Sequence, residues 1–352
     1  MVTGTGSLFH QAILDYNEGN KGHPQYELWL NYALTTNLRG KYLVDNLLRF
    51  TFSLKGKRLL DIGSGYGGTC IAAAQAGARS VGIEIDTKLL ELADINRQDH
   101  PDLSTTFYQM DVLNWEQVKS LGNFELITCD NVIEHVAVPE RLIAHISTLL
   151  ESDGFAYITI PNAYSINQVR SDCHYGLFGI SLLDPWDAAA YLEYALGQSS
   201  YDVSVYYHLD QYQSFCERYG LKTILINSTS QKGHLGHILR IELDELKQEF
   251  QVVLGSGRVP LAMRSKLEKV FGLYAEQVES GIYYYDQLPD GTAKRQLGAF
   301  LKKEYMDEVW YLAAYKSRSI PYRYYGLKAV GSGARKLKSI GRRLDKLFHA
   351  TK

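Results

Sequence analysis

Cysteine is scarce: four residues, Cys70, Cys129, Cys173 and Cys216, are scattered over 352, with no CxxC pair among them. That spacing excludes a zinc ribbon, a redox pair or a disulfide framework, and it suits a reducing compartment. No apolar run approaches the roughly 18 residues of a membrane-spanning helix. The opening MVTGTGSLFHQ lacks the basic and then apolar succession of a secretory signal. Internal repeats and low-complexity tracts are also missing. With 45% apolar and 22% charged residues, the composition excludes a disordered or collagen-like chain. The expectation is a soluble, cytoplasmic protein, long enough for two domains or one elaborated α/β domain.

The net charge of −2 conceals an asymmetry. From Lys316 to Lys352 there are eleven Lys and Arg against one acid, Asp345, which leaves 26 bases and 38 acids on the other 315 residues. An acidic body argues against sequence-independent binding of nucleic acid.

Residues 1–57 carry apolar spacings near three and four, as in YELWLNYALTTNLRGKYLVDNLLRF, and read as a helical segment. Strand and helix signals then alternate. The strands are expected at 58–62, 80–85, 105–110, 124–130 and 154–160. Helices are expected between them, with Asp86 as an N-cap and Pro139 in a first turn. Continuous apolar strands separated by helices imply a parallel sheet covered on both faces, hence a doubly wound α/β fold. After Pro161 the rhythm breaks. The expected division is a core at 58–160, an irregular insertion or lid at 161–207, and core again at 208–230. A helical insertion at 231–306, a last core strand at 307–317 and a basic tail at 318–352 complete it.

The sharpest local feature is Asp61-Ile62-Gly63-Ser64-Gly65-Tyr66-Gly67-Gly68, where the first strand turns into the first helix. Open α/β sheets bind ligands at that crevice. Gly63, Gly65 and Gly68 formally match the dinucleotide fingerprint, which would make the chain an NAD(P)-dependent oxidoreductase. Charge opposes that reading. Asp61 precedes the first glycine by two residues, and a carboxylate there repels a pyrophosphate. A phosphate-free cofactor with an amino group and a sulfonium would be attracted, and S-adenosylmethionine is such a cofactor. Further acids follow the next strands. Glu84 can accept ribose hydroxyls, Asp111 can accept the adenine amine, and Cys129-Asp130-Asn131-Val132-Ile133-Glu134-His135 closes the fourth strand.

These residues resemble the class I S-adenosylmethionine-dependent methyltransferases, across 36–165 and more weakly across 208–230 and 307–317. The resemblance implies a Rossmann-like methyltransferase sheet preceded by N-terminal helices and carrying two inserted segments. It implies that Asp61, Gly63, Ser64, Gly65 and Gly67 wrap the methionine part of the cofactor. Glu84 with Ile85 would hold the ribose, Asp111 with Val112 the adenine, and Asp130 and Asn131 would line the same edge. Asn131-Val132-Ile133-Glu134-His135-Val136 is similar to the fourth-strand motif of ubiquinone-biosynthesis and related small-molecule branches. Arg39 resembles the arginine that those branches set against the cofactor carboxylate. Residues 171–179, SDCHYGLFG, resemble a D-x-H-Y-G-x-x-G segment of methyltransferases associated with glycan or natural-product modification.

Methyl transfer to a hydroxyl benefits from a base, for which histidine is the usual choice. His174 in the lid, His135 after the fourth strand and His208 before the resumed helix are the candidates. No metal triad is evident from the spacing, which disfavours a magnesium-assisted, catechol-type variant. The 26 tyrosines, many in the insertions (Tyr191, Tyr194, Tyr201, Tyr206, Tyr207, Tyr212, Tyr283 to Tyr285), suit sugars or aromatic rings, or simply fill half-buried packing sites. A non-catalytic binding protein on the same fold is the other alternative.

In the tail, Leu337, Ile340, Leu344 and Leu347 recur at helical spacing among six basic residues of 333–348. A basic amphipathic helix either adsorbs to an anionic membrane surface, fitting a lipid-linked acceptor, or packs on the acidic body. Flotation with anionic liposomes separates the two. Adsorption predicts that removing residues 331–352 lowers recovery with the vesicles, and equal recovery of both forms ends the membrane reading.

Overall fold

The computed structural model describes residues 7–23, 25–226 and 234–316. Three helices lead in: α1 (Leu8–Asn17), α2 (Tyr26–Leu34) and α3 (Thr36–Leu47). The alternating core follows as β1 (Arg58–Ile62), α4 (Gly68–Gln75), β2 (Arg79–Glu84), α5 (Thr87–Gln98), β3 (Thr105–Gln109) and α6 (Trp115–Val118). It continues with β4 (Phe124–Asp130), α7 (Pro139–Leu149) and β5 (Leu150–Pro161). Then come α8 (Ile166–Arg170), α9 (Pro185–Leu196), α10 (Leu209–Arg218) and β6 (Lys222–Leu225). The described chain ends with α11 (Leu235–Gly255), α12 (Leu261–Gln287), α13 (Thr292–Tyr305) and β7 (Val309–Tyr315).

The local signals act as expected. Asp86 caps α5 by accepting the N–H groups of Lys88 and Leu89 at 2.7 and 3.0 Å. Pro139 opens α7, where its missing N–H costs nothing. The seven strands lie in the order β3-β2-β1-β4-β5-β7-β6. From β1 the chain winds outward to β3, then returns to β4 beside β1 and winds the other way. The reversal between β1 and β4 parts the loops that follow them and opens a crevice at their carboxyl ends.

The first five strands are parallel, whereas β7 runs antiparallel to both β5 and β6. The cause is local. Asn162, just past β5, sets its side-chain amide within 3.2 Å of the carbonyls of Lys303, Glu304 and Asp307, and its N–H donates to the Glu308 carbonyl. The end of α13 is thus held at the carboxyl edge of the sheet, and the chain re-enters from that side with no crossover to reverse it.

One face of the sheet packs Leu60, Ile62, Ile127 and Ile158 against α7 and α10. The other packs Leu59, Leu126 and Tyr157 against Leu43, Val44 and Leu47 of α3 and Ala72 and Ala73 of α4. A third core lies outside the sheet. Val169, Ile180, Tyr191 and Leu192 from 161–207 pack with Leu239, Leu243, Leu267 and Val278 from 235–305. Residues 161–207 are therefore not irregular throughout, because the two inserted stretches bury their apolar faces against each other. Arg170 ties them further, 2.8 Å from Glu249 and 3.2 Å from Glu242. Among the tyrosines, Tyr191 and Tyr212 are core residues, whereas Tyr194, Tyr283 and Tyr284 are exposed.

No helix among the described residues is long and apolar enough to cross a membrane. The basic stretch 331–352 lies outside the described residues.

Helix α3 reaches the glycine loop through a contact that only glycine permits. A Cβ on Gly40 would stand 2.3 Å from the backbone oxygen of Gly68, and one on Gly68 would stand 2.3 Å from the backbone oxygen of Thr36. Backbone cannot step aside as a side-chain tip can. Gly40→Ala is expected to cost about 1–3 kcal/mol, the usual range for overpacking, read as a lower urea midpoint at unchanged m-value.

Candidate functional site

The glycine loop crosses the crevice between β1 and α4. Gly63, Gly65 and Gly67 have φ of 68°, 50° and 80°, so the turn uses the left-handed region three times in five residues. The N–H groups of Gly63 and Ser64 donate to the Ile83 carbonyl at 2.9 and 3.0 Å, which fastens the loop to β2. A Cβ on Gly63 would strike Val132 at 2.3 Å and one on Gly67 would strike Phe107 at 2.6 Å, whereas Gly65 faces open space. The cradle is thus closed on its protein side and open at Gly65. Buried Ser64 Oγ has no hydrogen-bond partner among the described residues.

Glu84, at the end of β2 and buried, accepts the Gly65 N–H at 2.9 Å through Oε2. Its Oε1 accepts the N–H groups of Ile85 and Asp86 at 2.8 and 3.0 Å. A carboxylate offers about four acceptor positions, so Glu84 spends one on the glycine loop and two on the turn after β2, and keeps one on Oε2 for a ligand. The exposed Ile85 side chain stands beside it.

Asp61, the penultimate residue of β1, lies on the same edge, is 3% exposed, and accepts the Thr128 hydroxyl at 2.7 Å. Burial pushes its carboxyl up to about 7, with Asp130 and Glu84 adding to the rise and the Thr128 hydrogen bond opposing it. Asp130, at the end of β4, is also raised, first by burial and then by Glu134, against its bond from Thr159 and the charge of Arg39. Asn131 turns the chain there in the left-handed region, φ 53°, and donates its N–H to Thr159 Oγ1 at 2.9 Å. Arg39 lies with its guanidinium 3.5 Å from the centre of the Tyr32 ring and donates to the Tyr32 carbonyl at 3.0 Å. Its Nε is buried without a hydrogen-bond partner among the described residues.

Asp111 is half-buried after β3. Its Oδ1 accepts the Leu113 N–H at 2.8 Å, a turn bond that leaves Oδ2 for a ligand. Val112 is buried, and its carbonyl lies 2.7 Å from His145 Nδ1.

The three histidines are not brought together. His208, at the start of α10, stacks on Tyr164 with ring centres 4.0 Å apart and sets Nδ1 2.5 Å from Glu304. Those contacts fit a structural role. His135 and His174 do meet, edge to face with ring centres 5.0 Å apart. Between them lies Glu134, fully buried, with neither carboxylate oxygen hydrogen-bonded among the described residues. Both Nε2 atoms stand 3.7 Å from Glu134 Oε1. Burial pulls the His174 imidazole down, but Asp172, Cys173 and Glu134 outweigh it and carry the group up to about 12.

Sequence reasoning quoted Glu134 only as part of a motif and did not weigh Asp172. Buried Asp172 accepts the N–H groups of His174, Tyr175 and Leu177 at 2.9 to 3.2 Å and thereby builds the turn that carries His174. The D-x-H spacing was the available signal.

The raised Asp61 carboxyl has a consequence for stability. Below about pH 4 it is protonated folded and unfolded alike. Between about 4 and 7 the unfolded chain gives up this proton while the folded one keeps it, so stability falls as pH rises through that window. Asp61→Asn removes the effect. Its stability relative to the parent is expected to climb by the order of a few kcal/mol between pH 4 and 8, measured by urea midpoints across that range.

The profile of the family described as "Methyltransferase domain" matches residues 35–226, more than half of the chain. Among curated relatives, the ubiquinone biosynthesis O-methyltransferase of one Coxiella burnetii strain is 25% identical over 191 residues, 54% of this chain and 72% of that protein. That of Actinobacillus pleuropneumoniae is 33% identical over 122 residues, 34% of this chain and 52% of that protein. Most of the relatives reported are, like the latter, spanned over only about half their length. Among solved structures, the YcgJ protein of Bacillus subtilis aligns with a TM-score of 0.44 at 13% identity, covering 80% of this chain and 99% of that one. The magnesium protoporphyrin IX methyltransferase of Synechocystis gives 0.42 at 17%, covering 62% and 90%. Those two likenesses are too loose to bear on function. The match over 35–226 makes the chain a member of the methyltransferase-domain family.

Proposed function

We propose that this chain transfers the methyl group of S-adenosylmethionine to a hydroxyl of a small molecule. The observation that carries the cofactor part is the ring of acids, Asp61, Glu84, Asp111 and Asp130, around a glycine cradle open at Gly65. When bound, the cofactor supplies a methyl on a sulfonium, electrophilic enough that the protein need mainly align it. Asp61, once ionised, meets the cationic amino group. Glu84 accepts a ribose hydroxyl on its remaining lone pair, Asp111 accepts the adenine amine, and Arg39 turns its unpartnered Nε to the carboxylate. Gly63 to Gly67, with Ile85, Val112 and Asn131, shape the walls.

The oxygen acceptor is suggested by the relatives named ubiquinone biosynthesis O-methyltransferase. We assign cofactor binding to 58–160, with 208–230 and 307–317. The acceptor side belongs to the joined insertions 161–207 and 231–306, whose half-buried Tyr175 and Tyr206 stand beside His174, with Tyr201 against Tyr175. Aromatic faces with hydroxyl tips favour a ring-bearing acceptor, a phenol or a sugar.

Calorimetric titration tests the reading. S-adenosylmethionine is expected to bind, and NAD is not. Because the cation is held by a carboxyl that titrates near 7, affinity is expected to rise between about pH 5.5 and 7.5. Asp61→Ala is expected to lower affinity at least about tenfold and to flatten that rise. Tight NAD binding, or cofactor affinity indifferent to both Asp61 and pH, would overturn the proposal.

A further inference from the structure

Glu134, His135 and His174 have a feature that cofactor binding does not explain. The sequence spacing showed no metal triad, because His174 lies 39 residues beyond His135 and on a different segment. Folding brings one carboxylate oxygen and two imidazole nitrogens within 4.8 Å of one another. On one metal with bonds of about 2.1 Å, neighbouring ligand atoms stand roughly 3 to 3.5 Å apart. The two spacings of 3.7 Å from Glu134 Oε1 to the Nε2 atoms are only slightly wider.

The far side of the His135 ring strengthens the case. His135 Nδ1 lies 3.0 Å from the backbone carbonyl of Asp202, whereas His174 Nδ1 lies 3.4 Å from Tyr206 OH and 3.6 Å from Asp172 Oδ2, beyond hydrogen-bond reach of that carboxylate. Histidines that ligate metals usually donate the other N–H to a carbonyl or carboxylate, as at His135, which turns the free nitrogen toward the metal. With its Nδ1 donating to the Asp202 carbonyl, His135 directs the Nε2 lone pair toward Glu134. A fully buried carboxylate with no hydrogen-bond partner among the described residues calls for a cation beside it. Two nitrogens and one oxygen suit a borderline transition cation such as Zn²⁺, Mn²⁺ or Co²⁺, whereas Mg²⁺ and Ca²⁺ prefer oxygen alone.

We propose that Glu134 Oε1, His135 Nε2 and His174 Nε2 form a binding site for one divalent transition-metal ion. Three protein ligands leave coordination positions open, as in catalytic rather than structural sites. The site follows directly from β4, whose last residue Asp130 belongs to the cofactor edge, and Tyr206 OH lies 3.4 Å from His174 Nδ1. An open position there is available to an acceptor oxygen. That role rests on the methyl-transfer reading, whereas cation binding does not.

The test uses the full-length, tag-free chain, stripped with a chelator and titrated with Zn²⁺, Mn²⁺, Co²⁺ and Mg²⁺ by calorimetry. Co²⁺ is followed in parallel by its visible d–d absorption. One equivalent of Zn²⁺ or Co²⁺ per chain is expected, with Mg²⁺ much weaker. His174→Ala and Glu134→Gln are expected to weaken Zn²⁺ by about 100-fold or more, beyond what loss of an outer partner costs, and to change the Co²⁺ spectrum. His135→Asn, at the most exposed ligand, serves where the buried Glu134 variant fails to fold. Absence of stoichiometric binding, or equal affinity in the parent and every folded variant, would overturn the site. S-adenosylmethionine is titrated into the same samples. Metal uptake without cofactor binding would sink the methyl-transfer reading and leave the metal site standing.

Discussion

The crevice concentrates negative charge where water is excluded. Asp61, Glu84 and Glu134 are buried and Asp130 half-buried, all at or just past the carboxyl ends of β1, β2 and β4. A parallel sheet puts them there because each β–loop–α connection leaves the sheet on the same edge. Buried like charges are costly, and the chain offsets them in different ways. Asp61 leans on Thr128, Asp130 on Thr159 and Arg39, and Glu84 on three backbone N–H groups. Glu134 has only two histidines at 3.7 Å.

That arrangement makes the site a receptor for positive charge at two points. One lies at the glycine loop, where the carboxyl of Asp61 balances between its protonated and ionised forms near neutral pH. The other lies past β4, where Glu134 faces two imidazoles. The scaffold is rigid where the charges are densest. The glycine loop is bonded to β2, α3 is pressed against α4 through Gly40 and Gly68, and Asn162 clamps the end of α13.

The paired insertions complete the second point. His174 reaches Glu134 because Asp172 folds its turn and because 161–207 has a core of its own with α11 and α12. Tyr175 and Asp202 hydrogen-bond across the same region, and the carbonyl of Asp202 in turn holds His135. The surroundings of Glu134 are therefore built by segments far apart in sequence.

The alternation of apolar strands and helices, the Asp86 and Pro139 caps and the glycine loop were legible in the sequence. Each depends on residues within a few positions of one another. The acids after β1, β2 and β3 were legible for the same reason, since a parallel sheet delivers every strand end to one edge whatever the details. Tertiary structure alone decided that β7 runs backward, that the two insertions share a core, and that Glu84 spends most of its carboxylate on backbone N–H groups. It alone separated His208, paired with Glu304, from the meeting of His135 and His174 over Glu134. Those outcomes depend on which distant side chains are buried together, and no local pattern encodes the free energy of that burial.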